Sequence, residues 1–272
     1  MGGSRLDFAP SPGPLVGIAL NLFLLEQAAD RIEWSAQDSR TLHLRNTLKT
    51  KDGDLVDFGV INGPRGKGRV SWQSSGDVSI FLDWKTPHPS DLIPVSILVG
   101  LSRPQTCRKI IEQGSALGVS QLLFFPAEKG ELSYANSSLW DGEWQRLLVK
   151  GAEQAFSCHL PICEKVGSLE EAIEKSASME PLRLALDVYE ASRALADVKP
   201  AVGQPLQLAI GPERGWSDAE RKQLRKSGFE LCHLGGRVLR VETAMVASVG
   251  CLAEAFWSDR KSTRLNSSHQ II

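Results

Sequence analysis

From about residue 93 onward, apolar segments of strand length alternate with segments in which apolar residues recur every three or four positions. This alternation is the strongest constraint on the fold, because the two periods belong to strands and helices respectively. Strands that alternate with helices predict an α/β fold with a mainly parallel sheet, which binds ligands at the carboxyl ends of its strands. The predicted strands are 93–99, 119–125, 182–188, 206–210 and 230–234, and the predicted helices are 104–117, 139–156, 168 onward, 217–228 and 243–256.

Local signals mark the ends of several of these helices. Pro104 is typical of a first helical turn, and Gly118 and Gly228 occupy positions where glycine usually ends a helix. Ser168 and Ser217 are each followed three residues later by glutamate, a spacing that predicts a capping box.

The part of the chain before residue 85 has a different texture. Short strand-like runs at 55–61, 68–72 and 78–82 are separated by turns that contain glycine, which predicts a small β-barrel. The glycine-rich stretch 63–68 is interpreted as hairpin turn chemistry. We therefore predict a flexible N-terminus (1–14), a small β-barrel domain (15–84), a linker (85–91), an α/β domain (92–258) and a disordered or non-native tail (259–272).

Composition excludes several classes of protein. The chain has 272 residues, of which 42% are hydrophobic and 23% charged, and no apolar run approaches 18 residues, so wholesale disorder and a membrane span are not expected. The net charge of −1 means that a polyanion must meet a local basic patch. The five cysteines include no CxxC pair, so we expect reduced thiols, no metal and a cytoplasmic location.

Two loops stand out for their position. Strand 206–210 runs into a loop that opens with Gly211 and ends at Trp216, and strand 230–234 runs into a loop that contains Arg237, Arg240 and Glu242. Each loop lies between a strand and a helix, where backbone amides converge and glycines let a ligand approach closely. Taken singly, each is equally well read as an ordinary glycine turn. The chain contains neither a P-loop nor a GxGxxG loop after a strand, so the usual nucleotide-binding sites are not expected.

The sequence IGPERGWS (210–217) together with LGGRVLRVETA (234–244) resembles the two signature loops of the ribosomal RNA small subunit methyltransferase E family. Further similarity lies in HLRNTL (43–48), in EQGSALGVS (112–120) and in AEQA (152–155), so the resemblance covers roughly residues 20–257. The chain departs from the family pattern at Arg214 and Gly236, and again at 156–159.

The resemblance implies a SPOUT α/β domain with a trefoil knot, a PUA-like first domain and a homodimer. It also implies that S-adenosyl-L-methionine is the cofactor and that N3 of a uridine in 16S rRNA, within the 30S subunit, is methylated. Cofactor binding would then fall on the segment after Asp187 and on the two loops. The implied cofactor residues are Leu186, Ile210, Gly211, Pro212, Glu213, Gly215, Leu234, Gly235, Val238, Leu239, Thr243 and Ala244.

Three residues of the loop that follows strand 230–234 are candidates for catalysis. Removal of the N3 proton spreads negative charge onto the base carbonyls, which a guanidinium stabilises. Our hypothesis is that Arg237 and Arg240 face the base or cofactor, with Glu242 as an orienting residue or as the proton acceptor. Structural readings stay open beside it: Glu242 interacting with a helix dipole, Thr243 capping a helix, Glu213 capping the next helix or pairing with Arg214, and Trp216, His43 and His233 as packing or surface residues.

RNA contact is predicted for the first domain and its junction with the second. Residues 31–70 contain eight lysines and arginines against five acidic residues, an excess that suits phosphate contacts, although a solvated face of mixed charge is equally compatible. Arg108 and Lys109 would extend this patch. The predicted RNA-binding residues are Arg45, Lys49, Arg65, Lys67, Arg69 and Arg103.

Two alternatives to this function remain. One is a knotted RNA methyltransferase with a different target, and the other is a non-catalytic ribosome-assembly factor that keeps the fold.

Overall fold

The computed structural model describes residues 22–257 apart from 88 and 178. The predicted flexible N-terminus (1–14) and the predicted tail (259–272) lie outside the described residues. Within the described part, no helix combines the length and the apolar character that crossing a membrane requires.

The larger sheet has seven strands, and every neighbouring pair runs parallel. The predicted α/β class is therefore confirmed. The strand order is β10-β12-β9-β11-β6-β7-β8, so β9, β11 and β12, which are distant along the chain, lie side by side. The bounds are β6 Ile93–Gly100, β7 Val119–Phe125, β8 Ile162–Lys165, β9 Leu182–Leu186, β10 Arg193–Ala194, β11 Leu206–Ile210 and β12 Glu230–His233.

Helices cover both faces of this sheet, because its strands are apolar on both sides. In β6, Ile97 points to a core that includes Ile110 of α2 and Met245 of α6. Leu98, its neighbour, points to the opposite core with Leu224 of α5. The helices are α2 Pro104–Leu117, α3 Glu143–Gln154, α4 Leu169–Lys175, α5 Asp218–Lys226, α6 Val241–Leu252 and α7 Glu254–Trp257, after a short α1 at Ser39–Leu42 in the first part of the chain.

The first part of the chain forms a separate five-stranded sheet in the order β1-β3-β4-β5-β2. β1 and β3 are parallel and the other pairs antiparallel, with a hairpin between β3 and β4 at the glycine-rich stretch. A cluster around Phe58, Val70 and Ile80 forms its core. The closed barrel stays a prediction. The bounds are β1 Leu22–Leu25, β2 Arg31–Trp34, β3 Leu55–Val60, β4 Arg65–Trp72 and β5 Val78–Trp84.

The helix ends with strong local signals are as predicted. Helix α2 spans Pro104–Leu117 and ends at Gly118, whose φ of +73° is the left-handed value that favours glycine. Ser217 and Glu220 cap α5 reciprocally. Ser168 forms only half of the expected box, because the Glu171 carboxylate accepts from Gly167.

Two helix starts were predicted wrongly. Gly142, at a φ of +111°, separates a 3₁₀ turn at Ser138–Trp140 from α3, so the helix expected from 139 begins at Glu143. The last helix begins at Val241 rather than 243. Thr243 therefore lies inside the first turn of α6, and Arg240 occupies the cap position that one reading of the sequence left open for Thr243.

The two sheets are joined by close contacts beyond the connecting segment. Asn62 donates its backbone N–H to the Cys158 carbonyl (2.8 Å), and its side-chain oxygen accepts from Leu160 (3.1 Å). A Cβ added at Gly59 would overlap the Cys158 sulfur, so the first sheet approaches this segment as closely as glycine permits.

Gly151 of α3 provides a test of the helix packing. A methyl at this position would overlap the Glu112 carbonyl oxygen of α2 and crowd the Ser115 side chain. We expect Gly151→Ala to lower the free energy of unfolding by about 2 kcal/mol, although alanine is the better helix former. Denaturant titration measures this, with Gln154→Ala at the exposed end of α3 as the control. An unchanged or higher stability for Gly151→Ala would contradict the close approach of α2 and α3.

Candidate functional site

A cleft lies at the carboxyl ends of β9, β11 and β12. The three strands are neighbours and parallel, so the loops that follow Leu186, Ile210 and His233 meet at one edge of the sheet. This is where an α/β sheet is expected to bind its ligand. The cleft is lined by Leu186, Asp187, Val188, Tyr189, Ile210, Gly211, Pro212, Glu213, Arg214, Gly215, Trp216, Cys232, His233, Leu234, Arg237, Val238, Leu239, Val241 and Ala244.

Most of the residues predicted to hold the cofactor line this cleft. Gly235 and Thr243 are the exceptions: Gly235 is an exposed turn residue with a φ of +97°, and Thr243 is exposed on α6. The predicted residues in the lining are Leu186, Ile210, Gly211, Pro212, Glu213, Gly215, Leu234, Val238, Leu239 and Ala244.

The loop after β11 is anchored by Trp216. Its indole is buried, stacks parallel to Phe125 at 6.1 Å between centroids, and donates a hydrogen bond to the Leu186 carbonyl (2.8 Å). This bond ties the loop to the end of β9, the neighbouring strand. Trp216 is thus a packing residue, as the sequence favoured. Gly215, with a φ of +67°, makes the turn before it.

Glu213 of the same loop has a different hydrogen-bond partner from the two that the sequence left open for it. Its carboxylate accepts a hydrogen bond from the backbone N–H of Arg103 (2.9 Å), at the start of α2. The start of α5 is capped instead by Ser217 and Glu220, which form a capping box. Arg214 lies 3.7 Å from Glu131 instead of pairing with Glu213, and both partners are largely exposed.

The loop after β9 is shaped by Asp187. One carboxylate oxygen accepts the backbone N–H groups of Tyr189 (2.6 Å) and Glu190 (2.7 Å), and the other accepts Nε of Arg221 in α5 (2.7 Å). The side chains of Asp187 and Arg221 are only 1% and 6% exposed. Burial alone would lower the pKa of the Arg221 guanidinium, but its bond to Asp187 and the surrounding carboxylates raise it.

The loop after β12 carries the predicted catalytic residues. Arg237 is exposed and lines the cleft, and Arg240 is exposed at the start of α6. Glu242 is buried and ion-paired with Lys109 of α2 (3.0 Å), and it does not line the cleft. Burial by itself would raise the pKa of the Glu242 carboxyl, but the Lys109 bond, its own backbone N–H and the charge of Arg240 outweigh burial and hold that pKa below its usual value.

His233 and Cys232 are two further residues of the cleft. His233 is half-buried, and its Nδ1 accepts the backbone N–H of Gly235 (3.1 Å). Burial raises the pKa of the Cys232 thiol to about 11, so it is protonated at neutral pH and is not a nucleophile. Far from the cleft, His43 packs edge-on against Phe23, 5.9 Å between centroids. Among the described residues, no cluster of histidine, cysteine and carboxylates has the makings of a metal site.

The basic residues predicted to meet RNA are only partly free to do so. Lys67 forms an ion pair with Asp57 (2.7 Å), and the Arg65 guanidinium lies over the Phe156 ring (4.5 Å). Arg45 lies over Trp72 (4.9 Å) but stays exposed, as do Lys49, Arg69 and Arg103.

The expected extension of this patch along α2 is largely neutralised. Arg108 binds both oxygens of Glu143 (2.7 and 2.8 Å), and Lys109 is paired with Glu242.

Sequence reasoning missed the residues that shape the loop after β9. It marked the segment after Asp187 but did not name Val188, Tyr189 or Arg221. An aspartate side chain often accepts the backbone N–H two residues further on and so favours a turn, and this signal at Asp187 could have drawn attention to Tyr189. Nothing local connects Asp187 with Arg221, which lies 34 residues further on.

The cleft fits an adenosyl cofactor. Leu186, Ile210 and Leu239 supply apolar surface for a flat ring. Gly211 and Gly215 place backbone atoms in the lining itself. Exposed Arg237 supplies positive charge at the same cleft. Apolar walls, close backbone and a few polar groups are the usual features of such a site.

Comparison with known proteins identifies the class. A family model described as an RNA methyltransferase domain matches residues 88–253. The ribosomal RNA small subunit methyltransferase E of Treponema pallidum is 31% identical over 239 residues, covering 85% of this chain and 88% of that protein. The ribosomal RNA small subunit methyltransferase E 1 of Borreliella burgdorferi is 26% identical, covering 84% of this chain and 95% of that protein.

Solved structures agree on the fold. A ribosomal RNA small subunit methyltransferase E from Neisseria gonorrhoeae, bound to S-adenosyl methionine, superposes with a TM-score of 0.68 at 21% identity, covering 87% of this chain and 97% of that one. A Legionella pneumophila protein in complex with the same cofactor gives 0.70 at 19% identity, covering 88% and 98%. The fold and the family match are thus those of an RNA methyltransferase. More particularly, the chain belongs to the ribosomal RNA small subunit methyltransferase E family.

The Glu242–Lys109 pair makes a testable contribution to stability. Because the folded pKa of Glu242 is depressed, its stabilisation is present above the ordinary glutamate pKa of about 4.3 and is lost as the pH falls through the folded value. We expect Glu242→Gln to lower the free energy of unfolding by roughly 1–2 kcal/mol near pH 7, and the difference from the parent to shrink in acid. Denaturant titrations across pH measure this.

Glu170→Gln, an exposed carboxylate in the first turn of α4, is the control. A stability difference for Glu242→Gln that does not change with pH would contradict the role assigned to the ion pair.

Proposed function

We propose that this protein methylates N3 of a specific uridine in 16S ribosomal RNA, using S-adenosyl-L-methionine. The observation that carries the proposal is the cleft formed by three loops at the ends of β9, β11 and β12, in a chain of this family. A relative of known structure is described as bound to that cofactor.

The cofactor, when bound, supplies an electrophilic methyl group on a sulfonium. The chain's part is to bind and orient. Leu186, Ile210 and Leu239 would enclose the adenine, and the backbone around Gly211 and Gly215 would supply hydrogen bonds. Holding donor and acceptor at attack distance accounts for much of the rate of such a displacement.

The acceptor requires a change of charge. Uridine N3 carries a proton at neutral pH, and transfer of that proton to a water molecule leaves negative charge spread over the two carbonyl oxygens. Arg237 and Arg240, both exposed beside the cleft, are the groups we assign to stabilise that charge. Two roles were predicted for Glu242, orientation and proton acceptance. The ion pair with Lys109 lowers the pKa of the Glu242 carboxyl, and a carboxylate with a lowered pKa is a weak base, so we assign Glu242 the orienting role.

The finer features implied by the family resemblance belong to the same proposal. They are the trefoil knot, the PUA-like nature of the first sheet, the 30S subunit as the substrate particle and a cytoplasmic location. A homodimer is supported by α6, a helix rich in small and apolar residues that leaves Val246 and Cys251 exposed. Exposed Arg69 on β4, with exposed Arg45 and Lys49 between α1 and β3, would contact phosphates.

The direct test uses 16S rRNA from a strain that lacks N3-methyluridine. Free RNA and assembled 30S subunits would be incubated with the protein and cofactor, and nucleosides measured by mass spectrometry. We expect one new N3-methyluridine per RNA. Cofactor binding without methylation of either substrate would mean that the target is wrong, and absence of both would favour a non-catalytic assembly factor.

Arg240 offers a sharper test of the catalytic assignment. Because it is exposed, Arg240→Ala should fold normally, yet it removes a donor that acts on developing charge. We expect kcat to fall about 100-fold, while KM for the cofactor changes less than about threefold. Arg146→Ala, an exposed arginine of α3, is the matched control. Normal turnover by Arg240→Ala would overturn the assignment.

A further inference from the structure

Tyr189 has an unusual position for a large ring. It lines the cleft, yet 75% of its surface is exposed, and its neighbour Val188 is 53% exposed. Exposed apolar side chains grouped at a cleft often mark where a ligand lies. Both residues belong to the loop after β9, which the family resemblance marked only as a segment.

The ring is held from behind by a charged group. The Arg221 guanidinium lies 5.6 Å from the centre of the Tyr189 ring, and it is itself held by Asp187. Asp187 also binds the backbone N–H of Tyr189, so one buried carboxylate fixes both the main chain and the cation beneath the ring. A cation over one face of an aromatic ring is attracted by its quadrupole. Tyr189 is therefore held in place from the Arg221 side while most of its surface faces solvent.

Strand order indicates which ligand this ring meets. β9 lies between β11 and β12, and Tyr189 leans toward the β11 side: a Cβ at Gly215 would lie 3.7 Å from its ring. The exposed guanidinium of Arg237 follows β12, on the other side of β9. The ring thus belongs to the side of the cleft formed by the loops after β9 and β11, where Leu186, Ile210 and the backbone around Gly211 and Gly215 are assigned to the cofactor. The loop after β12 carries Leu239, also assigned to the adenine, and Arg237, assigned to the target base.

We propose that Tyr189 stacks on the adenine of the cofactor and that Asp187 and Arg221 are positioning residues that hold the ring for it. This inference rests on the proposed function, since it assumes an adenosyl cofactor in the cleft. Arg221 does not itself touch the ligand. It acts through the ring and through the shape of the loop.

Calorimetric titration of S-adenosyl-L-methionine, without RNA, tests the ring directly. Tyr189→Ala removes an exposed side chain and should fold normally. We expect it to weaken cofactor binding about tenfold, the worth of an aromatic stacking contact. Tyr189→Phe keeps the ring and should bind within about twofold of the parent. Leu55→Ala, which truncates a residue that is 56% exposed on β3 of the first sheet, should leave binding unchanged.

Variants of Arg221 test the support behind the ring. Arg221→Lys keeps the charge but loses the planar group, so KM for the cofactor should rise about threefold to tenfold, while kcat at saturating cofactor and KM for RNA stay within about twofold. A purely structural role would lower kcat or melting temperature without this selective change. If Arg221→Lys does not fold, the Tyr189 variants still decide the matter.

The outcomes separate this inference from the function beneath it. Parental protein that binds the cofactor, with unchanged binding in Tyr189→Ala, would overturn the role of the ring and leave the proposed function standing. A raised KM for RNA with unchanged cofactor affinity would assign Tyr189 to the target base and would also overturn the proposal. Parental protein that binds no cofactor would refute the proposed function, and this inference with it.

Discussion

Parallel pairing of β9 with both β11 and β12 is the constraint on which the candidate site depends. Parallel strands end at the same edge, so segments that begin at residues 187, 211 and 234 are brought into one cleft although they are far apart in sequence. Antiparallel pairing at either interface would send one of those loops to the opposite edge of the sheet. The hydrophobic cores on the two faces, with Ile97 in one and Leu98 in the other, hold this arrangement from both sides.

Once the strands bring the loops together, a few polar contacts set the shapes of two of them. Trp216 joins the loop after β11 to the end of β9, Glu213 joins the same loop to the start of α2, and Asp187 joins the loop after β9 to α5. Asp187 and Arg221 are both buried, and breaking a buried charged pair leaves the partner unsatisfied, which is far more costly than losing a surface pair. The loop after β11 can therefore contain two glycines and still be tied to its neighbours at both Glu213 and Trp216.

The sequence predicted what local chemistry determines. Proline at the start and glycine at the end set both bounds of α2, and Ser217 with Glu220 set the start of α5, because capping acts over three or four residues. The alternation of strands and helices was sufficient to predict the parallel sheet. The start of α3 was missed because Gly142 adopts a left-handed conformation inside an apolar periodic stretch. The partners of Glu213 and Asp187 could not be foreseen, since Arg103 and Arg221 lie 110 and 34 residues away and only tertiary packing brings them near.

The contacts of Asn62 and Gly59 with the segment around Cys158 bear on how a substrate is chosen. One main-chain hydrogen bond, a second that the Asn62 side chain accepts, and the close approach of Gly59 to the Cys158 sulfur hold the first sheet at a set distance from the cleft. Under the proposed function, an RNA must present its phosphates to the sheet and its uridine to the cleft at that one separation. A folded RNA meets this demand in advance, whereas a mobile strand must first lose conformational entropy. The protein can then select its RNA by three-dimensional shape, with little need for contacts that recognise the base sequence around the target uridine.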